Sequence, residues 1–221
     1  MKVLVACEYS GRVRDAFIEA GHDATSCDLL PSESPKGPHY EGDVREILDA
    51  GWDLMIAHPP CTYLTCSGEW AYKAAHEIKG KKIKPGTLVG AARCAARESA
   101  IEFVALLASA PIQRIAIENP VGVLSTRWRQ PDQIIQPYEY GDDASKKTCL
   151  WLMNLPRLAP TIFAPPRIAS SNGGRSYALR WSNQTDSGQN SEPPAPDRWK
   201  ARSTTWPGLA KAMASQWGVH E

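Results

Sequence analysis

Three places in the chain carry side chains able to do covalent, proton-transfer or ligand-binding chemistry, and each lies beside turn-forming residues. The first is Ala57-His58-Pro59-Pro60-Cys61-Thr62-Tyr63-Leu64-Thr65-Cys66-Ser67-Gly68. Two prolines fix φ and stop both strand and helix, so Cys61 is held at a stiff turn. A thiol so placed is a candidate nucleophile, the alternative being a buried structural cysteine. The second is Glu118-Asn119-Pro120, where a carboxylate ends an apolar run. Partial burial there is expected to raise the pKa of Glu118, so that it can share or donate a proton. The alternative is an Asx-Pro turn with Glu118 in a surface ion pair. The third is a pair of acids, Asp28 and Asp43, suited to the hydroxyls and amine of a small ligand. Asp43 reads equally well as a helix N-cap.

These residues need a scaffold, and the flanking patterns supply one. Asp53–Ala57 is an apolar run bounded by turn formers and reads as a buried strand that delivers the Pro-Pro-Cys turn. Lys2–Cys7 reads as a first strand and Glu8-Tyr9-Ser10-Gly11 as a turn. Arg12–Ala20 has helical periodicity through Val13, Ala16, Phe17 and Ala20, closed by Gly21. His22–Cys27 is a second strand, ended by Asp28. In such a strand-turn-helix-strand unit the turn backbone lies against a ligand and the acid takes ribose hydroxyls. A pyrophosphate loop wants G-x-G-x-x-G, and only Gly11 is present. A nucleoside ligand without pyrophosphate fits better, and S-adenosylmethionine is the commonest of these. Further along, residues 31–42 read as loop and Arg45–Ala50 as a short helix. Ala91–Ser109 is an amphipathic helix with Ile101, Val104, Ala105, Leu107 and Ala108 inward. Arg114–Ile117, Ile134–Ile135 and Cys149–Leu152 read as strands, and Thr205–Trp217 as a terminal helix.

At 221 residues, with 43% hydrophobic and 22% charged side chains, the chain suits one globular domain, or one domain with an appendage. No apolar run approaches a membrane span, and the first residues enter a strand, not a signal peptide. Six scattered cysteines (Cys7, Cys27, Cys61, Cys66, Cys94, Cys149) do not make a disulfide framework. Neither they nor the five histidines have zinc spacing, so no metal is expected and a reducing cytoplasm is the natural compartment. The net charge of +1 hides an asymmetry. Residues 1–50 hold five basic and ten acidic side chains, whereas residues 151–221 hold eight basic and four acidic. The basic end suits a polyanion, although an ordinary solvated surface reads equally well from charge alone. Residues 69–93 carry Lys73, Lys79, Lys81, Lys82 and Lys84 around Pro85-Gly86 and read as a mobile or inserted segment beside Cys61. Residues 154–204, with Gly173-Gly174 and Pro193-Pro194, read as a recognition excursion or loop. There Arg157, Arg167, Arg175 and Arg180 interleave with Tyr177 and Trp181, as in nucleic-acid contact surfaces.

Taken in order, Glu8-Tyr9-Ser10-Gly11, Asp28, Asp43, Pro59-Pro60-Cys61, Glu118-Asn119-Pro120 and Ala214-Ser215-Gln216-Trp217-Gly218 resemble the DNA (cytosine-5) methyltransferases, in particular the short bacteriophage and prophage forms. The resemblance implies an α/β, Rossmann-like S-adenosylmethionine-dependent sheet with helices on both faces and a short basic C-terminal excursion. Residues 1–152 with 203–221 would form the catalytic domain, and 153–202 a short target-recognition-like or loop region. Cys61 would add to carbon 6 of a flipped cytosine, Glu118 would hold and protonate N3, and Asn119 would position the Cys61 loop. Glu8, Tyr9, Ser10 and Gly11 would lie along the methionine part of the cofactor. Asp28 would take the ribose, Asp43 the adenine amino group, and Pro59 would pack nearby. Pro60, Lys146 and Thr148 would face the substrate. The family's Gln-x-Arg-x-Arg is replaced here by Ser145-Lys146-Lys147-Thr148, and its C-terminal Gly-Asn by Gln216-Trp217-Gly218. The first turn has Tyr9 and a lone Gly11 where the family has phenylalanine and several glycines. The resemblance further implies double-stranded DNA as partner, a monomer in the cytoplasm (of a bacterial host if phage-encoded), and short or relaxed specificity. Three rivals are an RNA or cytosine-nucleotide substrate, an amino-methylating enzyme (whose chemistry wants an aromatic after Pro-Pro, where Cys61 stands), and a catalytically silent nucleic-acid binder.

Overall fold

The computed structural model describes residues 1–80, 83–171, 174, 176–192 and 198–219. Lys81, Lys82, Gly173, Arg175 and Pro193-Pro194, named above, lie outside the described residues.

Seven strands form one sheet: β1 (Lys2–Ala6), β2 (Asp23–Asp28), β3 (His39–Glu41), β4 (Leu54–Ala57), β5 (Arg114–Pro120), β6 (Gln133–Ile135) and β7 (Thr148–Met153). Their order is β3-β2-β1-β4-β5-β7-β6. The first five run parallel, whereas β7 is antiparallel to both β5 and β6. Parallel strands covered on both faces read as continuous apolar runs, and β4, Leu-Met-Ile-Ala, is buried at every position. The two faces separate by the strand's period of two. Val3, Val5, Leu54 and Ile56 pack with α1 (Arg12–Glu19) and α5 (Pro207–Trp217). Leu4, Ala6, Met55 and Ala57 pack on the opposite face with Val104 and Leu107 of α2 (Gly90–Ala108). A single-turn helix, α3 (Leu124–Arg127), adds Leu124 to that second layer. The fold is a Rossmann-like α/β sheet with helices on both faces.

This strand order has its switch point between β1 and β4, where successive connections leave in opposite directions. Ligands of open α/β sheets bind outside the C-terminal strand ends at such a point. The residues after β1 and β4 are Cys7–Gly11 and His58–Cys61. Because β7 runs antiparallel, its first residue reaches the same edge, and Thr148 pairs with Pro120 in the register.

Several segments differ from the sequence reading. Residues 31–42 are not all loop, because His39–Glu41 adds to the edge of β2 as β3. Arg14, fully buried, ties down the preceding loop: its guanidinium donates to Ser26 Oγ, Ser32 Oγ and the Ser34 carbonyl, and pairs with Asp15 at 2.7 Å. The helix expected over Arg45–Ala50 is only a 3₁₀ turn, Val44–Glu46. Its neighbours Leu48 and Trp52 are instead buried against the sheet. The terminal helix starts at Pro207, where proline fits the first helical turn, and not at Thr205. Residues 154–204 contain a hairpin of β8 (Arg167–Ser171) and β9 (Ser176–Arg180), then α4 (Arg198–Ser203). No helix among the described residues is long and apolar enough to cross a membrane.

Candidate active site

The loop after β1 is built by Glu8. Its carboxylate is buried and accepts from the Val13 amide at 2.7 Å, the Arg14 amide at 3.2 Å and Ser10 Oγ at 3.2 Å. The two amides are orphan donors of the first turn of α1, so Glu8 acts as its remote cap. Gly11 has φ +73°, and a Cβ there would meet Arg14 and Ser34. The turn therefore needs glycine at that one position. Cys7 also lies in the left-handed region, at φ +58°, which marks strain at the sheet edge. Tyr9 is buried, and its hydroxyl donates to the Lys200 carbonyl at 3.0 Å, so α4 rests on this loop.

Beside the loop lies a cavity of about 290 Å³ lined by Cys7, Asp28, Leu29, Asp43, Val44 and Phe103, with Pro60 completing the wall. It brings together both acids singled out from the sequence. Asp28 accepts from the Leu30 amide at 3.0 Å; burial pushes its pKa up against that bond and nearby His39. Asp43 is a cap after all, its Oδ1 accepting from the Arg45 amide at 3.0 Å, and it still lines the cavity. The two readings of Asp43 are compatible, because a capping carboxylate keeps further acceptor sites. Carboxylates at the rim of an apolar slot suit a nucleoside, whose ring needs the walls and whose hydroxyls and amine need the acceptors.

Pro60 joins this cavity to the nucleophile turn. Pro60 is exposed, while Pro59 is buried and its carbonyl accepts from Asn119 Nδ2 at 2.7 Å. Asn119 is thereby the clamp between β5 and the Cys61 turn. A second clamp is formed where Gly122 bridges to Thr65 and the Val123 amide donates to the Leu64 carbonyl at 2.8 Å. A third comes from α2, where Arg97 Nε and the Tyr72 hydroxyl both donate to the Tyr63 carbonyl at 2.9 Å. Arg97 lies 3.5 Å from the Tyr72 ring centroid and also pairs with Glu69. Residues 69–72, the start of the stretch read as a mobile or inserted segment, belong to a 3₁₀ turn, Cys66–Tyr72, that packs against α2.

Cys61 is half-buried. Burial pushes its thiol up, Glu118 adds to the rise, and the cations Lys146 and Arg202 offset part of it. Glu118 lies at the end of β5 with its side chain 14% exposed. The sequence reading had its pKa raised by burial; the structure reverses that sign. Burial does push up, but the His58 hydrogen bond, the Lys146 charge and the Thr148 hydroxyl together hold the carboxyl below the ordinary range. His58 Nδ1 lies 3.0 Å from Glu118 Oε2. Lys146 Nζ donates to the Arg202 carbonyl at 2.9 Å, and Thr148 Oγ1 donates to the Lys146 carbonyl at 3.1 Å.

Two readings of the C-terminal region change. Trp181 is not a free stacking platform: it lies 4.0 Å from Tyr138 at 9° and donates from Nε1 to the Ala164 carbonyl. Arg167 is paired with Asp186 at 2.6 Å. Of that expected basic-aromatic set, Tyr177 is exposed on the hairpin. Residues given no role from the sequence are His58, Arg97 and Arg202. His58 carried the one available signal, a titratable side chain between a buried strand and two prolines.

No protein-family model matches the chain, and no curated protein matches it. Among solved structures it is similar to a DNA modification methyltransferase encoded within an E. coli prophage. That match has 13% identity and a TM-score of 0.46, and covers 75% of this chain and 52% of the other. It is also similar to a triple alanine mutant of Spodoptera frugiperda DNMT2, with 14% identity, a TM-score of 0.42 and coverage of 74% and 54%. The chain spans about half the length of these two proteins.

Proposed function

We propose that the chain is an S-adenosylmethionine-dependent methyltransferase acting on carbon 5 of cytosine in double-stranded DNA. The observation that carries this reading is the meeting, at one sheet edge, of a thiol on a Pro-Pro turn, a carboxyl on the neighbouring strand, and an acid-rimmed slot sharing Pro60 with that turn. The slot suits the cofactor: Asp28 would hold its ribose and Asp43 its adenine amine, with Val44 and Phe103 as apolar walls and the Glu8–Gly11 loop along the methionine end. When bound, the cofactor supplies an electrophilic methyl group. Everything else is asked of the chain's own residues.

Carbon 5 of cytosine is a poor nucleophile. Addition of the Cys61 thiolate to carbon 6 forms an S–C bond and shifts the ring electrons toward N3, which takes the Glu118 proton. Carbon 5 then has enamine character and can accept methyl. Loss of the carbon-5 proton to solvent re-forms the C5=C6 bond and expels the Cys61 thiolate, and N3 returns its proton to Glu118. Lys146 and Thr148, whose charge and hydroxyl act on Glu118, would meet the oxygen edge of the base. The base must leave the duplex to reach this edge. Residues 153–202 would supply the contacts to the flanking DNA.

The test is trapping with duplex DNA that carries 5-fluorocytosine, in the presence of S-adenosylmethionine. Fluorine cannot leave as a proton does, so release of Cys61 is blocked. The expected outcome is a denaturant-stable protein–DNA adduct mapping to Cys61 and absent from Cys61→Ser. An adduct-free wild type with bound DNA would favour the silent-binder reading. Adducts formed with RNA alone would move the substrate class.

A further inference from the structure

The His58–Glu118 pair is the feature that the reading above leaves without a use. His58 is anchored on rigid backbone: its amide continues the β4 ladder by donating to the Ala6 carbonyl at 2.9 Å. Its side chain is 8% exposed and meets Glu118 Oε2 at 3.0 Å through Nδ1. Its other nitrogen, Nε2, is buried and has no hydrogen-bond partner among the described residues. A buried N–H without an acceptor is far rarer than a bare acceptor lone pair. The arrangement that avoids one is the neutral tautomer with the proton on Nδ1, donated to Glu118, and a bare Nε2. Cys61 is not the partner of Nε2, so His58 is not arranged as a base for the thiol.

We infer that His58 is a positioning residue for Glu118: its Nδ1–H occupies Oε2, fixes the plane of the carboxyl and leaves Oε1 to address N3 of the base. The inference rests on the proposed reaction. As the Cys61 sulfur bonds to carbon 6, the C5=C6 pair moves into the C4–C5 bond and the C4=N3 pair moves to N3. N3 takes the proton from Glu118 Oε1. Once that proton has moved, the fixed Nδ1–H holds the carboxylate at Oε2, so that Oε1 stays aimed at N3 through the step. The other groups facing Glu118 are Lys146 and Thr148, on the segment entering β7, so His58 is its partner from the β4 side.

The test compares three substitutions that treat the two nitrogens differently. Asn places an amide N–H close to the Nδ1 position, Gln carries its amide one bond further out, and Leu has none. His58→Leu is expected to lower kcat by roughly 10- to 100-fold, with the Kd for S-adenosylmethionine unchanged. His58→Asn should recover most of the rate and His58→Gln little of it. Equal rates in all three would overturn the inference, and so would a loss that His58→Asn does not relieve. A second readout does not depend on turnover: nitrogen NMR of labelled histidine should show the Nδ1–H form for His58 and a shift in Glu118→Gln. An Nε2–H form, or a His58 signal indifferent to Glu118→Gln, would contradict it. Wild type tested alongside separates the two levels. Absence of methyl transfer in wild type would defeat the functional reading, and the tautomer alone would then decide the hydrogen bond.

Discussion

The Cys61 thiol is pushed up, mainly by burial, and the Glu118 carboxyl is held down by its three neighbours. The proposed addition needs the minority form of both, an ionised sulfur and a protonated acid. Between the two pKa values the thiolate fraction grows with pH as fast as the protonated-acid fraction falls. Their product is constant there. The predicted kcat/KM profile is therefore flat across at least about pH 6 to 8, falling only below the carboxylate range and above the thiol range. Glu118→Gln removes one of the two titrations, so its residual rate should climb about tenfold per pH unit through the same window. Measuring both profiles checks this, and a sloping wild-type profile would contradict it. The sequence showed that Cys61 and Glu118 were reactive types at strand ends. It could not show the sign of the Glu118 shift, because His58 lies 60 positions away and Lys146 comes from the segment entering β7.

The elements around Cys61 act as clamps, and one of them leaves no room for adjustment. A Cβ on Gly122 would lie 2.1 Å from the Leu64 carbonyl oxygen, backbone against backbone. Gly122→Ala should push the Cys61 turn away from β5, lowering stability by about 1–3 kcal/mol. A displacement of that kind should cost roughly 100-fold in kcat, while cofactor affinity is retained. Thermal melts and single-turnover rates measure the two parts, and an unchanged rate would remove the clamp from the account. The buried strands were legible because β1, β4 and β5 are covered on both faces and so read as unbroken apolar runs. Elements held by distant partners were not. The Cys66–Tyr72 turn depends on Arg97 of α2, and the Trp181 ring on Tyr138, neither of which leaves a local pattern. The β8–β9 hairpin escaped notice for a related reason: Ile168 and Tyr177 both face outward, so the expected polar-out alternation is absent.

At the scale of the whole molecule, the proposed function leaves the contacts to DNA to residues 153–202. Among the described residues, that stretch holds the two-stranded hairpin and most of the short α4, the latter resting on Tyr9 and on Lys146. Few side chains can then reach base edges, so affinity should lean on phosphate contacts and discrimination should be modest. The expectation is a short or relaxed recognition sequence, with binding that weakens steeply as salt is raised. Bisulfite sequencing of plasmid methylated in the presence of the protein tests it; a long unique motif would contradict it.

The most direct test of the central claim is transfer of labelled methyl from S-adenosylmethionine to cytosine-containing duplex DNA, wild type beside Cys61→Ala, with nucleoside analysis of the product. The expected outcome is 5-methylcytosine with wild type and none with the variant. Label on any other nucleoside, equal transfer by Cys61→Ala, or no transfer by either would contradict it.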